Sequence, residues 1–322
     1  MRRWAIGLLA SGLVVLAGAY VAHMWRRAAP ADAPRIEVEI EPGDTLARAA
    51  ARLERAGVVS SGARFRLLAR LLGGARPVQP GLYEFRAGEG WGRVLEKLQR
   101  GDVLVLRIVI PEGLPSVLVH ERLMAAPRLV GEVEVPPEGS VLPATWDYRP
   151  GETRAAVLRR MQQGMERTLA ELWAKRSPAT PVKTPHEAVI LASIVEKETA
   201  RPEERRRVAG LYANRLKAGM RLEADPTVIY PVTQGRPLGR RIRRSELRAD
   251  TGWNTYVRAG LPRGPITNPG RAALEAVLDP EVHDFLFMVA DGTGGHAFAR
   301  TLAEHEANVA RWYALRRERG EM

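Results

Sequence analysis

Thr184-Pro185-His186-Glu187-Ala188-Val189-Ile190-Leu191-Ala192-Ser193-Ile194-Val195-Glu196-Lys197-Glu198-Thr199 is the stretch on which the reading of this chain turns. Thr184 followed by Pro185 and Glu187 is a capping box with proline at the first helical position, so a helix starts here. From Ala188 to Val195 the residues are apolar almost without interruption, which predicts a helix buried on all sides in a domain interior. Charge returns only at Glu196, Lys197 and Glu198. A carboxyl at the end of a buried helix meets the negative end of the helix dipole and apolar neighbours, and both raise its pKa. Glu198 lies one turn beyond Ile194 and two beyond Leu191, whereas Glu196 follows the smaller and more polar face of Ala192 and Ser193. Spacing therefore favours Glu198 as the carboxyl held protonated, the form a general acid requires.

Working outward toward the carboxyl terminus, Pro202 opens a second helix with Val208, Leu211, Tyr212 and Leu216 on one face and Gly219 closing it. Asp225-Pro226 reads as a turn or as a hydroxyl-binding carboxylate. Asn254 and Tyr256 line a groove or structure a loop, and His296 with Phe298 binds a sugar or is a structural histidine. Gly292, Gly294 and Gly295 read as turn geometry and not as a phosphate loop, because no Lys-Ser/Thr follows. His296 and His305 lack the spacing of a zinc motif, so neither a metal nor another cofactor is expected.

Toward the amino terminus, Val135-Pro136-Pro137 separates this domain from a run of strand–turn–helix units. Ile36 to Ile40 alternates with period two, Pro42-Gly43-Asp44-Thr45 turns, and Leu46, Ala49, Ala50 and Leu53 keep helical spacing up to Gly57. Leu82 to Phe85 precedes a helix around Val94, Leu95 and Leu98 ending at Gly101. Val103 to Ile110 precedes Pro111-Glu112-Gly113 and a helix to Leu123. From Trp4 to Trp25 there is no Asp, Glu, Lys or Arg. At about 1.5 Å per residue this stretch reaches roughly 33 Å, enough for the ~30 Å hydrocarbon core of a bilayer. Arg2, Arg3, Arg26 and Arg27 flank it. The expected fold class is therefore α+β: a transmembrane helix within residues 1–27, a tether at 28–34, a small α+β region over 35–125, and a larger mixed α+β domain over 138–317.

The 322 residues, 45% hydrophobic and 27% charged, suit a globular protein with a substantial core. With no cysteine, disulfides, thiolate metal sites and a cysteine nucleophile are excluded. A net charge of +12 admits nucleic acid, acidic headgroups or another anionic polymer. The cations are nearly all arginine and interleave with glutamate, clustering only from Arg236 to Arg248, which reads as a solvated loop or a contact with headgroups or anionic wall polymer. No helix-turn-helix, RRM or zinc-finger pattern is present, and nucleic acid is not expected as a partner.

Ala192 to Thr199, Glu204-Arg205, Asn214-Arg215-Leu216, Met220-Arg221-Leu222 and Asp225-Pro226-Thr227-Val228-Ile229-Tyr230 form an ordered set of blocks. It continues through Asn254-Thr255-Tyr256, Gly260-Leu261-Pro262, Gly264-Pro265-Ile266, Asn268-Pro269-Gly270 and Ala290-Asp291-Gly292 to Gly295-His296, Phe298 and His305. The set resembles the endolytic murein transglycosylases of the YceG-like family over most of residues 36–315. Two departures stand out: Ala144 replaces an acidic residue, and Arg263 stands where a second proline is usual. The first strand, Pro-Gly-Asp-Thr turn and helix also resemble a LysM-type carbohydrate-binding module, and read equally as an α+β spacer.

The resemblance implies a single-pass protein of the bacterial cytoplasmic (inner) membrane, with a LysM-like module and a catalytic domain on the outer face. It implies a lyase that cuts the β-1,4 bond between N-acetylmuramic acid and N-acetylglucosamine, leaves a 1,6-anhydro end and terminates nascent strands beside peptidoglycan synthases. The family's catalytic glutamate falls on Glu198. Where the substrate supplies its own 6-hydroxyl as nucleophile, one carboxyl suffices as acid and then base, unlike the carboxylate pair of most glycosidases. Two other readings stand beside it: a hydrolytic muramidase with Asp225 or Glu223 as second carboxylate, and a non-catalytic wall-binding scaffold.

Overall fold

The computed structural model describes residues 15–16, 18–74 and 76–321. The apolar segment Trp4–Trp25 falls mostly outside them; among the described residues, no helix is long and apolar enough to cross a membrane. The chain divides into two compact units, residues 1–106 and 107–322. Both mix helices with short two-stranded sheets, as the α+β expectation requires.

In the first unit, β1 (Arg35–Ile40) pairs antiparallel with β2 (Gly81–Arg86), Val38 opposite Tyr83 and Ile36 opposite Phe85. The period-two pattern has the expected consequence: Val38 and Ile40 are buried while Glu37 and Glu39 face solvent. Thr45 caps α1 (Leu46–Arg55), its hydroxyl accepting from the Arg48 amide. A second helix, α2 (Gly62–Leu72), intervenes before β2, capped by Ser61 and burying Phe65 and Ala69. The sequence reading placed no helix there. After β2, α3 (Trp91–Arg100) ends at Gly101 in a left-handed cap (φ 72°). Leu53, Phe65, Tyr83, Phe85 and Leu98 form the centre of this core.

The third strand–turn–helix unit of the sequence lies at the start of the second compact unit, as β3 (Leu106–Ile110) and α4 (Ser116–Ala125). β3 pairs with β4 (Ala144–Tyr148). Proline at the α4 cap offers no side-chain acceptor, and Glu138 supplies one from afar, accepting from the Ser116 amide (2.9 Å) and hydroxyl (3.1 Å). Gly139 follows with φ 77°; a Cβ there would lie 2.7 Å from Val189 Cγ1 and 2.8 Å from Pro265 Cγ, so the chain passes where no side chain fits.

The long helix α5 (Arg154–Ala174) leads to α6 (Pro185–Glu198), the helix predicted from Thr184-Pro185. All eight residues from Ala188 to Val195 are buried. Helix α7 (Pro202–Lys217) packs on α6, and both pack on a later helix over Arg271–Leu278. The Thr184 hydroxyl accepts from the Glu187 amide, but the Glu187 carboxylate reaches back to the Lys183 amide (2.6 Å), one residue before the expected partner. Ser193, the one hydroxyl inside the apolar run, donates to the Ile190 carbonyl and accepts from the Ile266 amide (3.1 Å), so its burial leaves no polar atom unmatched.

Beyond α7 come α8 (Asp225–Thr233), the short α9 (Arg244–Arg248) and α10 (Arg271–Leu278). A hairpin of β5 (Phe287–Ala290) and β6 (His296–Ala299) is covered by α11 (Leu302–Glu318). The basic segment Arg236–Arg248 is partly self-neutralised: Arg236 pairs with Glu121, and Arg240 with Glu246.

Candidate active site

Helix α6 delivers Glu198 to a cavity of about 440 Å³ inside the second unit. The cavity is lined by α7 through Tyr212 and Arg215, by α8 through Asp225, by Tyr256 from the following loop, and by His296 and His305 from the hairpin and α11. Glu198 is part-exposed to this space, yet its Oε1 is sealed from solvent and has no hydrogen-bond partner among the described residues. Burial pushes the carboxyl up to about 7, and the nearby Asp225 charge adds to the rise. A hydrogen bond from the Tyr212 hydroxyl and the Arg215 charge pull the other way.

The neighbouring carboxyl has a different task. Glu196 Oε2 accepts from the amide of Gly270 (2.8 Å), the residue that caps α10. That cap has no side chain of its own, so Glu196 completes it. Burial raises the Glu196 pKa and the Gly270 hydrogen bond opposes it.

Of the other sequence candidates, Asp225, Tyr256 and His296 line the cavity with Glu198. The Tyr256 hydroxyl donates to Asp225 Oδ1 at 2.7 Å. Asn254 is not among the lining residues. It is 1% exposed, and its amide nitrogen donates to the carbonyls of Ala249 (2.9 Å), Glu246 and Leu247 (both 3.1 Å). Its Oδ1 accepts from the Tyr256 amide (2.9 Å), so Asn254 shapes the loop from which Tyr256 projects. Between them Thr255 accepts from the Ala224 amide (3.0 Å) and so anchors the start of α8, whose cap likewise lacks a side-chain acceptor.

Four cavity groups were not singled out as site residues in the sequence: Tyr212, Arg215, Lys197 and His305. Arg215 carried a signal, standing one turn beyond Leu211 and Tyr212 on the buried face of α7. A cation on an apolar stripe needs partners. Here it donates to the carbonyls of Leu286 (2.6 Å), Leu222 (2.9 Å) and Arg221 (3.1 Å), and to Glu223 Oε2 (3.3 Å). Desolvation lowers the His305 pKa, and its ring stacks on Phe287. Of the two departures, Arg263 lays its guanidinium over the Trp253 ring at 3.8 Å, and Ala144 opens β4. Among the described residues no group of three His, Asp or Glu is placed to hold a metal ion.

The model of the YceG-like family matches residues 38–311, most of the chain. The chain belongs to the YceG-like family. It is 23% identical over 316 residues to a Bacillus subtilis protein named endolytic murein transglycosylase, an alignment covering 88% of this chain and 86% of that one. A Streptococcus pneumoniae protein of the same name is 25% identical over 324 residues, covering 85% of this chain. The chain spans 58% of that streptococcal relative's length. Among solved structures, a YceG-like protein from Listeria monocytogenes matches with a TM-score of 0.54 at 25% identity, covering 85% of this chain and 98% of that one. In this YceG-like chain, the blocks that carry the resemblance converge from α6, α7, α8 and the β5–β6 hairpin on one cavity.

Proposed function

We propose that this chain is an endolytic lytic transglycosylase of peptidoglycan with Glu198 as its acid and base. The carrying observation is the Glu198 carboxyl at the end of α6, lining a polar cavity while its Oε1 is enclosed and unpartnered among the described residues. Near neutral pH a large share of such a group keeps its proton, on a carboxyl that borders the space a glycan would enter. In the reaction, Glu198 protonates the glycosidic oxygen as the bond from the muramic acid C1 breaks. The muramic acid 6-hydroxyl then closes on C1, and its proton returns to Glu198. A 1,6-anhydro end forms, Glu198 regains its starting state, and no water is consumed.

The same reading makes Trp4–Trp25 a membrane anchor, places residues 35 onward outside the cytoplasm, and gives the LysM-like region a role in holding glycan. Release of nascent strands would put the chain beside peptidoglycan synthases. A hydrolytic muramidase is the second reading, favoured by the carboxylates Asp225 and Glu223 on the same cavity.

Digestion of purified peptidoglycan followed by mass spectrometry separates the two. Anhydro-muramyl ends are expected, and reducing ends alone would establish hydrolysis instead. Glu198→Gln is expected to abolish cutting while glycan binding persists, and a variant that still cuts would remove Glu198 from the mechanism.

A further inference from the structure

Glu204, in the first turn of α7, is 7% exposed and holds His296 at two points. Its Oε2 lies 2.8 Å from the ring Nδ1, and its Oε1 accepts from the His296 amide at 3.1 Å. Gly295 makes this approach possible: a Cβ there would lie 2.3 Å from Glu204 Oε1. In sequence Gly295 reads as a turn glycine, but only Gly292 and Gly294 have positive φ in this turn, and what Gly295 provides is space. The turn itself is fixed. Asp291 Oδ1 accepts from the amides of Thr293 (2.7 Å) and Gly295 (3.1 Å), and Arg201, the residue before α7, donates to the Thr293 carbonyl. His296 opens β6 paired with Ala290, so its backbone is held on both sides.

We propose that Glu204 is a positioning residue that fixes His296 with its proton on Nδ1, so that Nε2 faces the cavity as the acceptor for a sugar hydroxyl of the glycan. A carboxylate has no proton to give, so the ring nitrogen it touches must be the donor. In the neutral ring the lone pair is then on Nε2, which has no partner among the described residues although His296 lines the cavity with Glu198. A glycan strand is dense in hydroxyl donors, and a preset acceptor beside the acid fixes which face of the sugar meets Glu198. This inference rests on the transglycosylase reading.

The test uses the full chain in detergent with ¹⁵N-labelled histidine, together with kinetics on purified peptidoglycan. Long-range ¹⁵N–¹H spectra are expected to show the neutral His296 ring protonated at Nδ1. In Glu204→Gln the carboxamide can donate, so the proton is expected to move to Nε2, and kcat/KM to fall about tenfold or more for a lost hydrogen bond. His296→Phe keeps the ring contact with Phe298 but removes the acceptor, and the same loss is expected. The double variant should lose no more than either single one, because both act through one atom. A wild-type ring protonated at Nε2, or His296→Phe with undiminished kcat/KM, would overturn the proposal. Reducing ends from the wild-type protein would instead overturn the transglycosylase reading and leave the tautomer result standing.

Discussion

The Tyr212 hydroxyl on α7 stands beside the carboxyl of Glu198 at the end of α6, where it holds the acid's pKa down, and the tyrosine itself is buried in the core both helices share. The proposed acid and the structural core are thus neighbours. Packing of α6 on α7 sets the position of the carboxyl, while the polar atoms around it set how firmly it keeps its proton.

That arrangement makes stability depend on pH in a defined direction. Glu198 is held up to about 7 in the folded protein, above its ordinary value of 4.5. Below about pH 4.5 the group is protonated both folded and unfolded and makes no difference. Between about pH 4.5 and 7 the unfolded chain gives up a proton that the folded chain keeps, so stability falls by about 3 kcal/mol across that window and levels off above it. Glu198→Gln has no proton to lose. The variant is therefore expected to match the wild type near pH 4 and to exceed it by about 3 kcal/mol above pH 8 in denaturant titrations. A constant difference across that range would mean the carboxyl is solvated.

How much of this could be read from the residues themselves differs between elements and site. Helix α6 was legible because its cap, its proline and its unbroken apolar run all point the same way. Helix α2 was not, although Ser61 is a sound cap, because it opens on glycine and its exposed Leu67, Leu71 and Leu72 blur the face that Phe65 and Ala69 bury. In the site, Glu198 was legible from its place at the end of an apolar helix. Asp225, Tyr256 and His296 could be named as candidates with a structural role equally open, and Tyr212 could not, because periodicity says nothing about which distant segments converge. Glu204 shows the limit most plainly. In sequence it is one acidic residue in the first turn of a helix, and only the fold brings it to His296.

Two substitutions should move the alkaline limb of the pH–activity profile in opposite directions. The charge of Asp225 raises the Glu198 pKa, and the hydrogen bond from Tyr212 lowers it. In Asp225→Asn the charge is gone, so Glu198 should lose its proton at lower pH and kcat/KM should begin to fall earlier as pH rises. In Tyr212→Phe the anion loses its donor, so the fall should begin later. The pH profile of kcat/KM reports the free enzyme and is the measurement to make. Shifts in the same direction would show that neither contact governs Glu198.

Asn254 provides the contrast between a residue that builds the site and one that touches substrate. Its side chain bonds three carbonyls of the segment from Glu246 to Ala249 and the amide of Tyr256, and it is fully enclosed. Asn254→Ala takes a donor from those part-buried carbonyls, which costs about 1 kcal/mol. Tyr256 stands on the loop so formed and donates to Asp225 in the cavity, so loosening the loop acts on Asp225 at second hand. Asn254→Ala is therefore expected to lower the unfolding midpoint while KM for glycan changes less than twofold at a temperature where the protein stays folded. Tyr256→Phe, which removes a cavity hydroxyl without touching the loop, is expected to do the reverse. Should Asn254→Ala raise KM severalfold with an unchanged midpoint, the amide would have to reach the glycan, and the loop geometry around it would need a different account.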